Sequence, residues 1–292
     1  MVRNNTVNVI VPVKNEAEGL RLILPKLREL FDGNEIIVVN DGSTDDTRNV
    51  AESFGVRLIN HSYSRGNGAA IKAGASLSNA DVLIFMDGDG QHRPEDIPRL
   101  LERFEKGNDM VVAAREKTSH AGAFRWGGNW FYNKFASWMV GRKIPDLTSG
   151  FRVVNARKFK DFIYMLPNGF SYPTTITMAF FRTGYSVWYE TCDVKNRIGK
   201  SHISMVRDGV KFMLIIFKVG VLYSPIKIFA PISLALFFFG VSYYGYTYVN
   251  ETRFTNMSAL LLSMSMLVFL MGLLSEQINN LSYAVMSKHN KT

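Results

Sequence analysis

The 292-residue sequence contains a single cysteine, Cys192. One cysteine excludes an intrachain disulfide and any zinc site built from several cysteines. Charged residues are absent from two long C-terminal stretches, residues 228–249 and 257–275, whereas the first two hundred residues are mixed and charged. The overall hydrophobic fraction of 47% therefore averages two unlike parts. The length suits one large domain with an appended segment.

The chain carries a net charge of +9 at pH 7. Excess positive charge is typical of proteins that bind nucleic acid or an anionic membrane surface. The apolar C-terminal part favours the membrane, so we expect no nucleic-acid partner. We also expect no N-terminal signal peptide, because the apolar stretch Val7–Val13 is short and leads straight into the charged residues Lys14 and Glu16.

Each uncharged stretch is long enough to span a hydrocarbon core of about 30 Å as a helix. Only the seven residues 250–256 separate the two, which leaves room for a tight turn and places both outer ends on one side. The basic bulk of the chain and the tail 288–291 predict that this side is cytoplasmic. We therefore expect a multi-pass membrane protein with a hairpin at residues 225–276 and a cytoplasmic tail at residues 277–292.

Apolar residues recur at helical spacing between residues 201 and 224, with Arg207, Lys211 and Lys218 among them. This pattern predicts amphipathic helices that lie on the membrane surface. The alternative is a core helix of the soluble domain.

Residues 1–200 show the alternation of an α/β domain. Strands predicted at residues 7–13, 35–40, 56–60 and 82–85 are separated by helical patterns, and each strand is a short, continuous apolar run. Such strands are typical of a parallel sheet covered on both faces. Further strands are predicted at residues 111–115, from residue 149, and at an edge position over residues 186–194.

Acidic residues follow three of these strands: Glu16, Asp41 and Asp87. Ligands of parallel sheets bind beyond the carboxyl ends of the strands, so the fold is expected to gather these acids at one edge. The alternative is that they cap helices, which is a reasonable interpretation of Asp45 and Asp46.

The segment Asp87-Gly88-Asp89-Gly90-Gln91 begins two residues after the predicted strand at residues 82–85. Two carboxylates one residue apart at a strand end point the same way, and the glycines let a ligand approach the backbone. Carboxylate and amide oxygens suit a hard divalent ion, Mg or Mn, that also holds phosphates. The segment predicts a site for a metal and a nucleotide diphosphate. The alternative is a polar turn with two solvated acids.

The order and spacing of four motifs resemble those of family 2 glycosyltransferases. A fifth motif resembles the polyprenyl-phosphate branch of that family, which includes dolichyl-phosphate mannose synthases. The motifs are residues 11–16 (VPVKNE), 39–45 (VNDGSTD), 65–70 (RGNGAA), 87–92 (DGDGQH) and 146–152 (DLTSGFR). The resemblance covers roughly residues 7–205. It implies a GT-A-like fold and inverting transfer of one sugar from a nucleotide-diphosphate sugar to undecaprenyl or dolichyl phosphate.

The resemblance also implies roles for individual residues. The nucleotide-sugar would contact Pro12, Lys14, Glu16, Asp41, Asp87, Gly88, Arg197 and Lys200; the metal would contact Asp89 and Gln91; the acceptor phosphate would contact Arg115, Arg125 and Asn129. Catalysis would fall to Asp89, Arg115, Arg125 and Lys200. Lys14 replaces an aromatic residue of some relatives and Asn67 a lysine of many, so the donor nucleotide stays open.

Two basic groups have a plainer alternative. Arg115 and Arg125 could be surface arginines in ion pairs. Arg197 and Lys200 could belong to a basic patch that faces the membrane. Arg125 and Asn129 fall on one face of a helix predicted at residues 124–140, whose many aromatic side chains suit either a core or a membrane interface.

Residues 169–177 contain threonines where many family members carry a carboxylate. A hydroxyl acceptor needs a base to take its proton. A phosphate monoester has a second pKa of about 6 and is mostly ionised at neutral pH, so the missing base favours a phosphate acceptor. Glu190 is a substitute base that the sequence offers.

Two other functions fit parts of the sequence. A processive polysaccharide synthase of the same superfamily usually has more membrane helices and a Gln-x-x-Arg-Trp motif, which this chain lacks. A non-catalytic nucleotide-sensing membrane module would bind nucleotide without turnover. The sequence is compatible with a homo-oligomer.

Overall fold

The computed structural model describes residues 5–115, 123–169, 171–194, 217–218, 220–253 and 255–289. It divides into two compact units. The first comprises Met1–Ser137 and Arg142–Met205, and the second comprises Trp138–Gly141 and Val206–Thr292.

The first unit is built on a seven-stranded sheet in the order β3-β2-β1-β4-β6-β5-β7. Its strands are β1 (Val7–Val13), β2 (Ile36–Asn40), β3 (Arg57–Asn60), β4 (Val82–Phe85), β5 (Met110–Arg115), β6 (Arg152–Asn155) and β7 (Val187–Cys192). Its helices are α1 (Ala17–Leu30), α2 (Thr47–Ser53), α3 (Asn67–Leu77), α4 (Ile97–Glu105), α5 (Ala123–Val140), α6 (Ala156–Lys160) and α7 (Tyr172–Arg182). The last residues of α5 belong to the second unit.

The central strands are buried along their whole length, as their β-branched sequences predict. Every residue of β1, β2 and β4 is buried. Helix α1 packs its apolar side, including Leu20, Leu24 and Leu27, into the same core. Parallel pairing of β1 with β2 and β4, and of β2 with β3, brings the carboxyl ends of four strands to one edge. The predicted edge strand is β7, at one end of the sheet.

The sheet is mixed, not wholly parallel. Strand β6 runs antiparallel to both of its neighbours, β4 and β5. It begins at Arg152, three residues later than predicted. Because β6 runs the opposite way, its first residue lies at the edge where β4 and β5 end. The segment 146–151 is therefore delivered to the same edge as Asp87 and Arg115.

The second unit contains two long helices, α8 (Pro225–Glu251) and α9 (Asn256–His289). Each includes a 26-residue span that is long and apolar enough to cross a membrane. Ser233 and Ser265 join the helices reciprocally, because each hydroxyl donates to the other residue's carbonyl at 2.9 Å. Thr252, between the helices, takes a left-handed conformation with φ of 53°. Of the amphipathic segment expected at residues 201–224, residues 201–216 and 219 lie outside the described part.

Candidate active site

The loops after β1 and β2 are connected to each other by hydrogen bonds. Asn15 takes a left-handed conformation (φ 55°), which is uncommon for a residue other than glycine. Its amide N–H donates to the Ser43 hydroxyl at 2.9 Å, and its side-chain oxygen accepts from the Thr44 N–H at 2.8 Å. The Asp41 N–H donates to the Val13 carbonyl at 2.8 Å. The first two predicted motifs therefore form one connected surface.

Asp41, the first residue of the loop after β2, is buried, with 3% of its surface exposed. Its carboxylate accepts hydrogen bonds at 2.8 Å from the Ser64 hydroxyl and from the backbone N–H groups of Arg65 and Gly66, and it lies 2.8 Å from Nδ1 of His61. Burial by itself raises the pKa of Asp41, but these hydrogen bonds outweigh burial and hold the pKa below its ordinary value. Asp41 thus fixes the loop that leads into α3.

Asp45 connects the N-terminal ends of two helices. Its carboxylate accepts from the Thr47 N–H at 3.1 Å, in the first turn of α2, and from the Ala17 N–H at 3.3 Å, in the first turn of α1. The Thr47 hydroxyl donates to it as well. The capping interpretation of Asp45 is therefore confirmed. The same contacts orient the turn between β1 and α1.

The segment 87–91 packs closely against β1 and α1. A Cβ atom added to Gly88 would lie 2.3 Å from Cγ1 of Val13, and one added to Gly19 would lie 2.1 Å from the Gly88 carbonyl oxygen. Gly90 has a φ of 72°, a conformation that favours glycine. The Gln91 N–H donates to Oδ1 of Asp89 at 3.1 Å, which closes the turn. The glycines are needed for packing as well as for ligand access.

The two carboxylates of this segment affect each other. Burial and the nearby charge of Asp89 raise the pKa of Asp87 to about 6, and a hydrogen bond with the Asn67 side chain partly offsets this rise. Two close, partly buried carboxylates are unfavourable by themselves, and a cation stabilises such an arrangement. The charge distribution therefore fits a bound cation.

The protein's donor atoms also fit a divalent ion that is bound jointly by the protein and by the phosphates of a nucleotide. Among the residues that the structure describes, no three His, Cys, Asp or Glu side chains are grouped as a metal site. Asp89 and Gln91 supply one carboxylate and one amide. Mg²⁺ commonly binds through one or two carboxylates together with substrate phosphates and water. The residues present fit that kind of site.

Arg115, at the end of β5, forms a bidentate ion pair with Asp146. Its Nε and Nη2 donate to the two carboxylate oxygens at 2.7 and 2.9 Å, and Nη2 also donates to the Thr148 hydroxyl at 2.5 Å. The Asp146 side chain is 7% exposed and that of Arg115 is 37% exposed. Burial raises the pKa of Asp146, but the Arg115 pair outweighs it and lowers that pKa overall. Arg115 therefore does form an ion pair, and its guanidinium remains partly accessible.

His92 and Phe151 pack together beneath the site, with ring centroids 5.1 Å apart. Burial and the nearby Arg115 lower the pKa of His92 to about 4, so the imidazole is neutral at pH 7. Phe151 is fully buried, as expected of a packing residue.

Arg152 is the main residue of the site region that sequence reasoning missed. It follows Phe151 directly, occupies the first position of β6 and is fully buried. Its register partner is Phe85, two residues before Asp87. An arginine immediately before the buried run Val153-Val154 was the available signal, because a buried charge always needs compensation.

Glu190, the substitute base that the sequence offered, is held by two arginines of α4. Its carboxylate accepts from Nε of Arg103 at 2.9 Å and from the Trp188 indole at 3.2 Å, and it lies 3.6 Å from Nε of Arg99. A carboxylate engaged in this way is poorly suited to take a proton from a substrate.

The other predicted contact residues are placed as follows. Pro12 is buried in β1, Lys14 is exposed after it, and Glu16 is partly exposed at the start of α1. Arg125 and Asn129 belong to α5, but their side chains lie outside the described part of the chain. Arg197 and Lys200 also lie outside it.

This geometry is that of a GT-A-like glycosyltransferase fold, and comparison with known proteins agrees. The model of "Glycosyl transferase family 2" matches residues 8–163, more than half of the chain. The chain belongs to glycosyltransferase family 2 and is a glycosyltransferase. A second model, "GtrB C-terminal hairpin", matches residues 224–281.

Several curated relatives are polyprenyl-phosphate sugar transferases. The undecaprenyl-phosphate mannosyltransferase of Micrococcus luteus is 30% identical over 211 residues, which cover 67% of this chain and 86% of that protein. The polyprenol monophosphomannose synthase of Mycolicibacterium smegmatis is 29% identical over 61% of this chain and 73% of its own length. A further relative, named only as glycosyltransferase AglJ of Haloferax volcanii, is 25% identical over 95% of both chains.

Solved structures confirm the GT-A-like α/β fold. Glucosyl-3-phosphoglycerate synthase from Mycobacterium tuberculosis, crystallised with Mn²⁺, uridine diphosphate and glucosyl-3-phosphoglycerate, superposes with a TM-score of 0.61. The match covers 74% of this chain and 80% of that one at 18% identity. The resemblance read from the five motifs is thereby confirmed at the level of family and fold.

Proposed function

We propose that this enzyme transfers a single sugar from a nucleotide-diphosphate sugar to a polyprenyl phosphate. The proposal rests on one observation: Asp87, Asp89 and Arg115 lie at the same edge of the sheet. Burial lowers the pKa of the Arg115 guanidinium, but its pair with Asp146 and, to a smaller extent, the nearby charges of Asp87 and Asp89 raise that pKa overall, so the two acids lie near the arginine. The acids suit a donor with its metal, and the arginine suits the phosphate of an acceptor.

The donor would occupy the acidic side of this edge. Pro12, Lys14, Glu16 and Asp41 would surround the base and ribose, and Asp87 with Gly88 would approach the ribose and diphosphate. Asp89 and Gln91 would hold a divalent metal, Mg or Mn, which when bound neutralises charge on the diphosphate as a Lewis acid. Mn²⁺ in the structural relative supports this assignment.

The acceptor phosphate would bind at Arg115, whose guanidinium is already oriented by Asp146. A phosphate oxygen would attack the anomeric carbon as the bond from that carbon to the diphosphate oxygen breaks, with inversion. Arg125 and Asn129 would complete the phosphate site. Arg197 and Lys200 would offset charge on the departing diphosphate.

The first turns of α7 agree with an acceptor that needs no base. Thr174, Thr175 and Thr177 are buried, and Thr177 donates to the Pro173 carbonyl at 2.7 Å. Helix α7 contains no carboxylate. An ionised phosphate attacks without a proton acceptor, because its second pKa is about 6.

The membrane part of the proposal rests on α8 and α9. Residues 225–276 would form a transmembrane hairpin that keeps the enzyme in the bilayer, where a polyprenyl chain also resides. Residues 201–224 would lie at the membrane surface, and residues 1–200 and 277–292 would be cytoplasmic. The match of residues 224–281 to the hairpin model supports this arrangement.

A donor screen tests the function. Purified protein is incubated with undecaprenyl phosphate, Mn²⁺ or Mg²⁺, and each of several uridine- and guanosine-diphosphate sugars, and lipid product and released nucleotide are measured together. We expect one donor to give equal amounts of nucleoside diphosphate and lipid bearing one sugar. A growing polymer would instead show a processive synthase, and nucleotide binding without turnover on any donor would show a sensing module.

A further inference from the structure

Arg152 is a fully buried guanidinium in the first unit. No carboxylate lies within ion-pair distance of it among the side chains that the structure describes, and burial lowers its pKa. A buried charge without a direct partner is costly and requires a compensating environment. The hydrogen bonds of the Arg152 guanidinium therefore indicate its role.

The guanidinium connects two segments that border the site. Nη2 donates to the Ser149 carbonyl, in the turn before β6. Nη1 donates to the Thr177 hydroxyl at 3.1 Å and to the Pro173 carbonyl at 3.2 Å, both in α7. Arg152 thereby holds the turn 149–150 against the first turns of α7.

The polar atoms around Arg152 are incompletely satisfied. Four buried atoms have no hydrogen-bond partner within the described part of the chain: Nε of Arg152, Oγ of Ser149 and the hydroxyls of Tyr172 and Tyr189. The Tyr172 ring centroid lies 6.0 Å from the guanidinium carbon. A core optimised only for stability would rarely retain such a group. The arrangement is more typical of a functional site.

The turn that Arg152 holds contacts the Asp87 carboxylate. A Cβ atom added to Gly150 would lie 2.3 Å from Oδ2 and 2.8 Å from Cγ of Asp87. The backbone at Gly150 therefore packs directly on the carboxylate. Asn67, at the start of α3, hydrogen bonds to the same carboxylate. Asp87 is confined by these two contacts.

We propose that Arg152 is a positioning residue that, through the Ser149 carbonyl and the backbone at Gly150, fixes the Asp87 carboxylate for binding the donor's nucleoside diphosphate. The inference rests on the proposed function, since it takes Asp87 as a nucleotide contact.

Three variants, Gly150→Ala, Arg152→Lys and Arg152→Met, and one matched control test the proposal. Gly150→Ala places a methyl group against Asp87 and leaves Arg152 unchanged. Arg152→Lys keeps the charge but cannot reach Ser149, Thr177 and Pro173 with one rigid fork. Gly169→Ala is the control, because nothing lies within 4 Å of the added Cβ and the backbone conformation is ordinary. Each full-length protein is titrated calorimetrically with uridine diphosphate and with guanosine diphosphate in the presence of Mn²⁺, and its melting temperature is recorded.

For whichever diphosphate binds the wild type, we expect Gly150→Ala and Arg152→Lys each to raise the Kd at least about tenfold. We expect Arg152→Met to raise it further than Arg152→Lys, and Gly169→Ala to leave it unchanged. The proposal is overturned if Gly150→Ala binds diphosphate as the wild type does, whatever happens to the melting temperature of the Arg152 variants. It is also overturned if Arg152→Lys lowers the melting temperature but leaves the Kd unchanged.

The Kd for nucleoside diphosphate tests the role of Arg152 independently of transfer to a polyprenyl phosphate. Diphosphate binding does not require an acceptor. A wild type that binds diphosphate but glycosylates no polyprenyl phosphate would refute the function, and the variant series would still decide the role of Arg152.

Discussion

The two halves of the sheet carry opposite charges at the functional edge. The half formed by β3, β2, β1 and β4 is wholly parallel and presents Glu16, Asp41, Asp87 and Asp89. The half formed by β6, β5 and β7 is mixed and presents Arg115, with Arg152 buried behind it. Under the proposed function, the acidic half would need a cation to hold a diphosphate, whereas the basic half would bind a phosphate directly.

The halves also differ in how their side chains are held. On the acidic side, backbone N–H groups and hydroxyls from neighbouring loops fix Asp41 and Asp45. On the basic side, Asp146 lies in the segment that leads into the antiparallel strand β6, and it pairs with Arg115. Arg152, the first residue of β6, holds the turn 149–150. The reversal of β6 thus supplies the second half of the site.

The largest expected effect is at Asp89. We predict that Asp89→Asn lowers transfer by at least about a thousandfold, because metal stabilisation of charge is worth several kcal/mol and each 1.36 kcal/mol is about tenfold in rate. Removing divalent metal with a chelator should do the same to the wild type. The assay is initial-rate transfer to undecaprenyl phosphate.

The matched control is Asp46→Asn. Asp46 is half exposed and pairs with Arg21 on the surface, so its loss should leave the rate unchanged. Wild-type turnover by Asp89→Asn, or undiminished turnover after chelation, would contradict the cation requirement of the acidic half.

The next effect is at Arg115. Arg115→Lys should raise the KM for polyprenyl phosphate about 10- to 100-fold, because lysine cannot reproduce the bidentate geometry and a charged hydrogen bond is worth about 1.5–3 kcal/mol. The KM for the donor should change much less. Arg48→Lys, in an exposed pair with Glu52, is the control. An equal rise in both KM values would contradict separate binding of donor and acceptor by the two halves.

A smaller effect, on stability, is expected at Asp41. Asp41→Asn turns one acceptor into a donor opposite an N–H or hydroxyl group, which should cost about 1–3 kcal/mol of unfolding free energy. The pKa of Asp41 is held below its ordinary value, so its contribution is complete above about pH 4 and is lost as the pH falls through the folded-state pKa. The melting temperatures of wild type and variant should therefore converge at acidic pH. Glu52→Gln serves as an exposed control, and a gap that persists in acid would show that the charge of Asp41 is not the cause.

The smallest effect is expected in the hairpin, where polar contacts do not depend on charge. Ser233→Ala should destabilise helix pairing by about 0.6 kcal/mol, the average for interhelical hydrogen bonds in membranes. Ser265→Ala should cost the same, and Ser242→Ala, which is exposed, should cost nothing. Unfolding in mixed micelles measures these differences. A loss at Ser242 as large as at Ser233 would show that the reciprocal bonds contribute no stability.

Much of the acidic half follows from local sequence. Short apolar runs predicted β1, β2 and β4, and parallel pairing then required Glu16, Asp41 and Asp87 to share an edge. The basic half depends on long-range pairing. Nothing local to Arg152 or Asp146 indicates that β6 runs antiparallel, or that Asp146 pairs with Arg115 across 31 residues.

The region around residues 169–177 shows the same limit of local patterns. Its missing carboxylate was evident from the sequence, whereas helix α7 was not, because a run of threonines disfavours a helix by propensity. Burial of Thr174 and Thr177 against Tyr132 and Arg152 stabilises the helix instead. Tertiary contacts override propensity at this position.

A crossed binding measurement tests the central claim most directly. Wild type, Asp89→Asn and Arg115→Lys, each full length in nanodiscs, are titrated with nucleoside diphosphate plus Mn²⁺ and, separately, with a short-chain polyprenyl phosphate. The charge division predicts that Asp89→Asn loses diphosphate binding and keeps lipid phosphate binding, and that Arg115→Lys does the reverse. Loss of the same ligand by both variants, or of both ligands by each, would contradict a donor half and an acceptor half on one sheet edge.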